Sequence, residues 1–246
     1  MGQRLGQHFL RNSGYLEKIA EAACPSRAKL VVEIGAGRGA LTRRLLCRAD
    51  RVVAIELDGV LADRLQREFP DLAVIAGDVL AQDLTQWGRC VVVGNLPYYI
   101  TSPVVAKVLA IGGLLERAVF LVQREVAQRI AARPRSRAYG YLSVASQLLA
   151  ETRVLFKVPP GAFSPPPNVE SAVVSLVPRP LEDLPEDRAA LLRFVGQCFR
   201  HKRKTLRNNL SEVANASVLA DLPGMGRRAE ELTLAEFLEL WNRLSL

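Results

Sequence analysis

The residues best suited to chemistry in this chain are Asn95, Leu96, Pro97 and Tyr98. They follow directly on Val91-Val92-Val93-Gly94, an apolar run that reads as a buried strand. The Gly, the Asn and the Pro end that strand. In an open α/β sheet, ligands bind just beyond the carboxyl ends of strands. Asn95 offers a side-chain oxygen as acceptor. Leu96 offers a backbone carbonyl stiffened by Pro97, and Tyr98 offers a ring face. Such a set suits activation of a conjugated exocyclic amine, for instance that of adenine. The lone pair on that nitrogen is delocalised into the ring. Two acceptors on its N–H bonds draw the nitrogen toward a tetrahedral shape and return the pair. Stacking on Tyr98 would add roughly 1–3 kcal/mol. The same four residues also read as a Pro turn beside a core tyrosine.

The elements around this stretch repeat one pattern, a strand ending in a small or polar residue. Leu30 to Ile34 is a short apolar strand, followed by Gly35, Gly37 and Gly39 and then a helix to about Arg48. This is the first βα unit of a doubly wound fold, in which glycines let the backbone approach a ligand. Arg51 to Asp58 is the second strand, with Glu56 standing at its end. Glu56 lies about 20 residues past the Gly turn, where an acid takes ribose hydroxyls; the alternative, a helix cap, fits Asp58 better. Leu72 to Ala76 is the third strand, and Asp78 follows it, either as a turn residue or as a ligand for a cofactor amino group. Ala118 to Val122, Arg153 to Val158 and Ser171 to Val177 complete a sheet of seven. Ser13 is expected to cap a first helix, and Ser102-Pro103 to start another through Leu109. Residues 187–199, 202–214 and 229–244 have helical periodicity. The fold class is therefore α/β, with 1–178 as the sheet domain and 179–246 as a small all-α domain. Residues 1–14 form an arm anchored by Phe9 and Leu10.

Charge points to a polyanionic partner. The chain of 246 residues carries a formal net charge of +8. Arg124, Arg129, Arg133, Arg135 and Arg137 crowd one helix and the loop behind it. Arg200, Lys202, Arg203, Lys204 and Arg207 form a second cluster. The guanidinium fork binds phosphate oxygens in pairs, so both clusters read as RNA-binding surface or as solvated faces. The loop from Pro159 to Val169 is stiffened by prolines and fixes Phe163, either as a second stacking face or as a buried anchor. Only 2 His and 4 widely spaced Cys are present. Neither a metal site nor a Ser-His-Asp or Cys-His machine is expected. The cysteines read as reduced thiols. No apolar run approaches the roughly 20 residues of a membrane span. The N-terminus has no signal-peptide pattern, and a cytoplasmic monomer is expected.

Six segments then coincide in order: Gly6–Leu10, Glu33–Gly39, Ile55–Asp58, Asn95–Tyr98, Phe163–Val174 and His201–Asn209. Glu33-Ile-Gly-Ala-Gly-Arg-Gly39 resembles motif I of S-adenosylmethionine methyltransferases. Asn95-Leu-Pro-Tyr98 resembles the Asn-x-Pro-Tyr signature of nucleic-acid amino-methyltransferases. Together the six closely resemble the ribosomal RNA adenine N6,N6-dimethyltransferases, best the small-subunit branch known as KsgA/RsmA. The resemblance implies a Rossmann-like class I methyltransferase fold and S-adenosylmethionine as cofactor. It implies dimethylation of two adjacent adenosines in the 3′-terminal hairpin of small-subunit rRNA, in a pre-30S particle. It implies cofactor ligands at His8, Leu10, Gly35, Glu56, Asp78 and Asn95, with His8 standing where members often have Asn. The large-subunit rRNA dimethyltransferases of macrolide resistance are the nearest alternative. A non-catalytic assembly factor is another.

Overall fold

The computed structural model describes residues 8–97, 100–180, 182, 184–213 and 215–244. The chain runs β1 (Phe9–Leu10), α1 (Ser13–Ala23), β2 (Ala28–Ile34), α2 (Thr42–Leu45), β3 (Ala49–Glu56), α3 (Gly59–Glu68), β4 (Ala73–Ala76) and β5 (Cys90–Asn95). It continues through α4 (Thr101–Ala110), β6 (Leu115–Gln123), α5 (Arg124–Ile130), α6 (Tyr141–Leu149), β7 (Ala150–Val158), β8 (Phe163–Ser164) and β9 (Ser171–Pro178). Last come α7 (Arg188–Cys198), α8 (Leu206–Leu210), α9 (Ala216–Asp221) and α10 (Leu234–Leu244).

The seven-stranded sheet has the order β4-β3-β2-β5-β6-β9-β7. Strands β4 to β6 are parallel, whereas β9 lies antiparallel to both its neighbours. This is the expected α/β methyltransferase architecture. Strand β5 is central and apolar on both faces, with Val92 and Val93 fully buried. Parallel strands covered on both sides read as unbroken apolar runs for this reason. Each such side chain contributes about 1.5–3 kcal/mol on full burial. Register aligns the strand ends: Ile34 faces Ile55 and Gly94, Glu56 faces Ala76, and Asn95 faces Leu121. Gly35, Glu56, Gly77 and Asn95 therefore share one sheet edge. Gly94 is required there, because a Cβ at that position would lie 2.4 Å from the Ile34 carbonyl oxygen.

The division of the chain differs from the single cut expected after residue 178. One compact unit is Met1–Ala127 with Ala150–Pro178; the other is Gln128–Leu149 with Arg179–Leu246. The reason is hydrophobic. Tyr139, Val144 and Leu148 are buried with Leu191, Phe194, Phe237 and Trp241 in one core. Helix α6 is thus part of the helical unit, although the chain returns to the sheet at β7.

Local boundaries also moved. Asn12, not Ser13, caps α1: it is extended, and its side chain accepts from Tyr15 N at 3.2 Å. Helix α4 starts at Thr101, whose hydroxyl donates to Pro97 O at 3.1 Å. The helix expected over 202–214 shrinks to α8. The side chain of Asn209, 3% exposed, accepts from His201 N and donates to Cys198 O and His201 O, which holds the basic stretch as a loop.

Candidate active site

A cavity of about 1000 Å³ opens at the carboxyl edge of the sheet. It is at the upper end of the range for small-molecule sites. Its wall takes Gly35, Gly37, Glu56, Asp78, Asn95, Leu96 and Pro97 from the strand ends, and His8, Phe9, Leu10 and Arg11 from the arm. The arm reaches it because β1 pairs with β8, Leu10 opposite Phe163 and Phe9 opposite Ser164. Gly37 has φ +58, and a Cβ there would lie 3.1 Å from the Phe9 ring. The Arg38 guanidinium sits 4.5 Å from the centroid of the same ring. Phe9 is thus clasped between the Gly turn and a cation, a contact worth about 0.5–1 kcal/mol at an exposed site.

Two acceptors stand ready at the end of β5. Asn95 Nδ2 donates to His8 O at 3.0 Å. Only the amide nitrogen can face a carbonyl oxygen, so Oδ1 is the group left for a guest. Leu96 N donates to Leu121 O at 3.0 Å, while the Leu96 carbonyl accepts no hydrogen bond among the described residues. The Pro97 carbonyl, by contrast, already accepts from Ile100 N and Thr101 Oγ1.

The carboxylates are arranged by the backbone. Glu56, 3% exposed, accepts from Gly37 N at 2.7 Å and from Asp58 N at 3.0 Å. Each of its oxygens retains a second lone pair. Asp58 caps α3, accepting from Val60 N and Leu61 N. Asp78 accepts from Leu80 N at 2.8 Å through one oxygen, which leaves the other for a guest. A buried acid, a Gly turn held at positive φ with tight space for a Cβ, and a hydrogen-bonding edge fit a nucleoside cofactor.

Glu33 is a wall residue that the sequence reading did not count as a ligand. It is buried, and its Oε2 accepts from Thr42 Oγ1 at 2.6 Å. Burial pushes its carboxyl up to about 7; the Thr42 hydroxyl works against that, and the nearby Glu56 charge adds to it. The signal was in the sequence: a lone acid inside the apolar run Leu30–Ile34.

One expected residue stands elsewhere. Phe163 does not line the cavity; it is 6% exposed and buried in the core with Leu10, Leu16 and Ile19. As packed it is the loop anchor, not a stacking face, because β8 turns it inward beneath the arm. The Nδ1 of His8 donates to Pro165 O at 2.9 Å, so the His8 side chain ties the arm to the Pro-rich loop. Tyr98 lies outside the described residues.

The cations sort by partner. Arg124 pairs with Glu170 at 2.5 Å, and Arg200 pairs with Glu212. Arg129, Arg133, Arg135, Arg137, Lys202, Arg203, Lys204 and Arg207 are exposed, with no carboxylate in ion-pair range among the described residues. All of these belong to the helical unit. In the sheet unit Arg27, Lys29, Arg43 and Arg48 are paired with acids.

A family model for ribosomal RNA adenine dimethylases matches residues 2–245. The chain is 44% identical over 256 residues to the ribosomal RNA small subunit methyltransferase A of Acidobacterium capsulatum, covering 98% of this chain and 90% of that one. It superposes on the crystal structure of a dimethyladenosine transferase from Plasmodium falciparum with TM-score 0.83 and 27% identity, over 97% of this chain and 99% of the other. On 23S rRNA methyltransferase ErmE the TM-score is 0.72 at 29% identity, over 97% and 100%. With its motifs, its sheet order and its full-length match in agreement, the chain belongs to the ribosomal RNA adenine dimethylase family.

Proposed function

We propose that this chain transfers methyl groups from S-adenosylmethionine to N6 of two adjacent adenosines, dimethylating each. The substrate is the 3′-terminal hairpin of small-subunit (16S) rRNA in a pre-30S particle. One observation supports the reading: Asn95 and Leu96 both line the cavity at the end of the central strand, and among the described residues neither Asn95 Oδ1 nor Leu96 O accepts a hydrogen bond. When bound, the cofactor supplies a methyl group already activated by its sulfonium. Glu56 accepts from the ribose hydroxyls and Asp78 from an adenine amino group. Gly35, Gly37, His8 and Leu10 enclose the rest. Asn95 and Leu96 would accept from the amine of the target base, returning the lone pair that takes the methyl carbon as its bond to sulfur breaks and a neutral thioether leaves. They stabilise the ammonium that forms, which gives up its proton to water. Pro97 keeps the Leu96 carbonyl in place, so little reorganisation is needed at the moment of reaction. The unpaired cations of the helical unit hold RNA phosphates.

The small-subunit substrate is favoured by the 44% identity to a small-subunit methyltransferase, against 29% to a 23S enzyme. The test is incubation with labelled methyl donor and either undermethylated small subunits or naked large-subunit RNA, followed by mapping of the modified nucleotide. Label on paired adenosines of the small-subunit hairpin is expected. Label confined to large-subunit RNA would overturn the assignment.

A further inference from the structure

Arg135 is the non-glycine residue with a left-handed backbone among the described residues, at φ 66. There the Cβ crowds the following carbonyl, so glycine or asparagine is the usual occupant. Such an outlier persists only when its surroundings hold it, and it tends to mark function.

The surroundings do hold it. Arg135 N donates to Glu230 O at 2.9 Å, and Ser136 N and Oγ donate to Arg133 O at 3.2 and 2.7 Å. Tyr139 N donates to Ser136 O at 3.0 Å, and the buried Tyr139 hydroxyl donates to Leu232 O at 3.0 Å. None of these bonds uses the Arg135 side chain. That side chain is exposed and meets no carboxylate among the described residues; Arg133 and Arg137 flank it in the same condition. For folding alone, glycine would give the same N–H without the strain and without three like charges on a short turn.

We infer that Arg135 is a dedicated phosphate contact for the RNA substrate, carried on a rigid turn that folding alone would assign to glycine. This rests on the reading of the helical unit as RNA-binding surface. The guanidinium fork suits phosphate, and a turn fixed in advance loses little freedom on binding.

The test uses the full chain as Arg135→Gly, Arg135→Lys and the double variant Arg133→Ala/Arg137→Ala. Thermal melting is measured beside affinity for undermethylated small subunits across a salt series. Arg135→Gly is expected to melt at or above the wild-type temperature and to bind roughly three- to ten-fold more weakly at about 0.1 M salt. Its plot of log affinity against log salt is expected to be shallower by roughly 0.7–0.9. Arg135→Lys should keep the slope and lose only part of the affinity. If Arg135→Gly binds normally while the double variant binds weakly, the Arg135 assignment fails and the RNA surface stands. If no variant alters binding, the turn lies outside the interface and both readings fail there. If Arg135→Gly melts lower and its binding loss follows its unfolding, the residue is structural and the inference is wrong.

Discussion

The side-chain nitrogen of Asn95 donates to the carbonyl oxygen of His8 across 3.0 Å, so a bond to the arm decides which face of the amide meets the cavity. Two variants separate the consequences. Asn95→Ala removes the acceptor, and kcat should fall by at least ~10²-fold, with particle binding within a few-fold. Asn95→Asp keeps an acceptor but sets a carboxylate against a carbonyl. It should loosen residues 8–11 and raise KM for the cofactor. Hydrogen exchange across the arm, read beside the kinetics, checks both. Near-normal methylation by Asn95→Ala would remove the catalytic assignment.

Gly37→Ala tests the clasp on Phe9. At φ +58 an L residue costs roughly 1–2 kcal/mol, and the new methyl would meet the ring at 3.1 Å. Melting temperature should drop, and calorimetric affinity for the cofactor should fall at least about ten-fold. Unchanged affinity would mean that the ring gives way freely and the clasp does not shape the site.

Glu33 gives a pH signature. Its carboxyl stands at about 7 against an ordinary 4.5, raised chiefly by burial. The native state therefore keeps a proton that the unfolded chain releases above its ordinary value. Stability from this site is present below that value, declines as pH climbs through the window, and is lost above about 7. Glu33→Gln removes the ionisation while keeping an acceptor for Thr42. Urea melts should show little gain at pH 5 and a gain of about 1–3 kcal/mol at pH 8. A gain that shrinks with rising pH would have the wrong sign and refute the account.

Asn209 holds the loop that carries Lys202, Arg203 and Lys204. Asn209→Ala orphans His201 N and the Cys198 carbonyl in a largely buried site, at a cost of about 2–3 kcal/mol. RNA affinity should fall with the loop's order even though every cation remains. Lys202, Arg203 and Lys204 changed together to Ala should instead leave melting unaltered and flatten the salt dependence by roughly 2–3 in slope. The reverse pattern would take the loop out of the interface.

The sheet was legible because its signals are local. An apolar run that stops at a small or polar residue marks both a strand and the edge where ligands bind, and Gly35, Glu56, Asp78 and Asn95 all stand on that edge. What escaped depends on distant partners. Phe163 looked available in its Pro-rich loop, but pairing of Leu10 with it turns the ring inward. His8 lines the cavity, and its ring also bonds to Pro165, 157 residues away, a tie that no local signal announces. The run 202–214 has helical periodicity, yet the first half of it is a loop because Asn209 bonds backward to His201. Ser13 lost the cap to its neighbour because both are good caps, and only backbone angles choose between them.

The helical unit is assembled from two stretches of chain with β7 to β9 between them. A tail beginning at Arg179 would lack Tyr139, Val144 and Leu148 from its interior, so it should not fold as an excised fragment. Anyone hoping to trade substrate preference between members of this family must therefore transplant two pieces in concert, and a swap of the carboxyl terminus alone should yield aggregates instead of a hybrid enzyme.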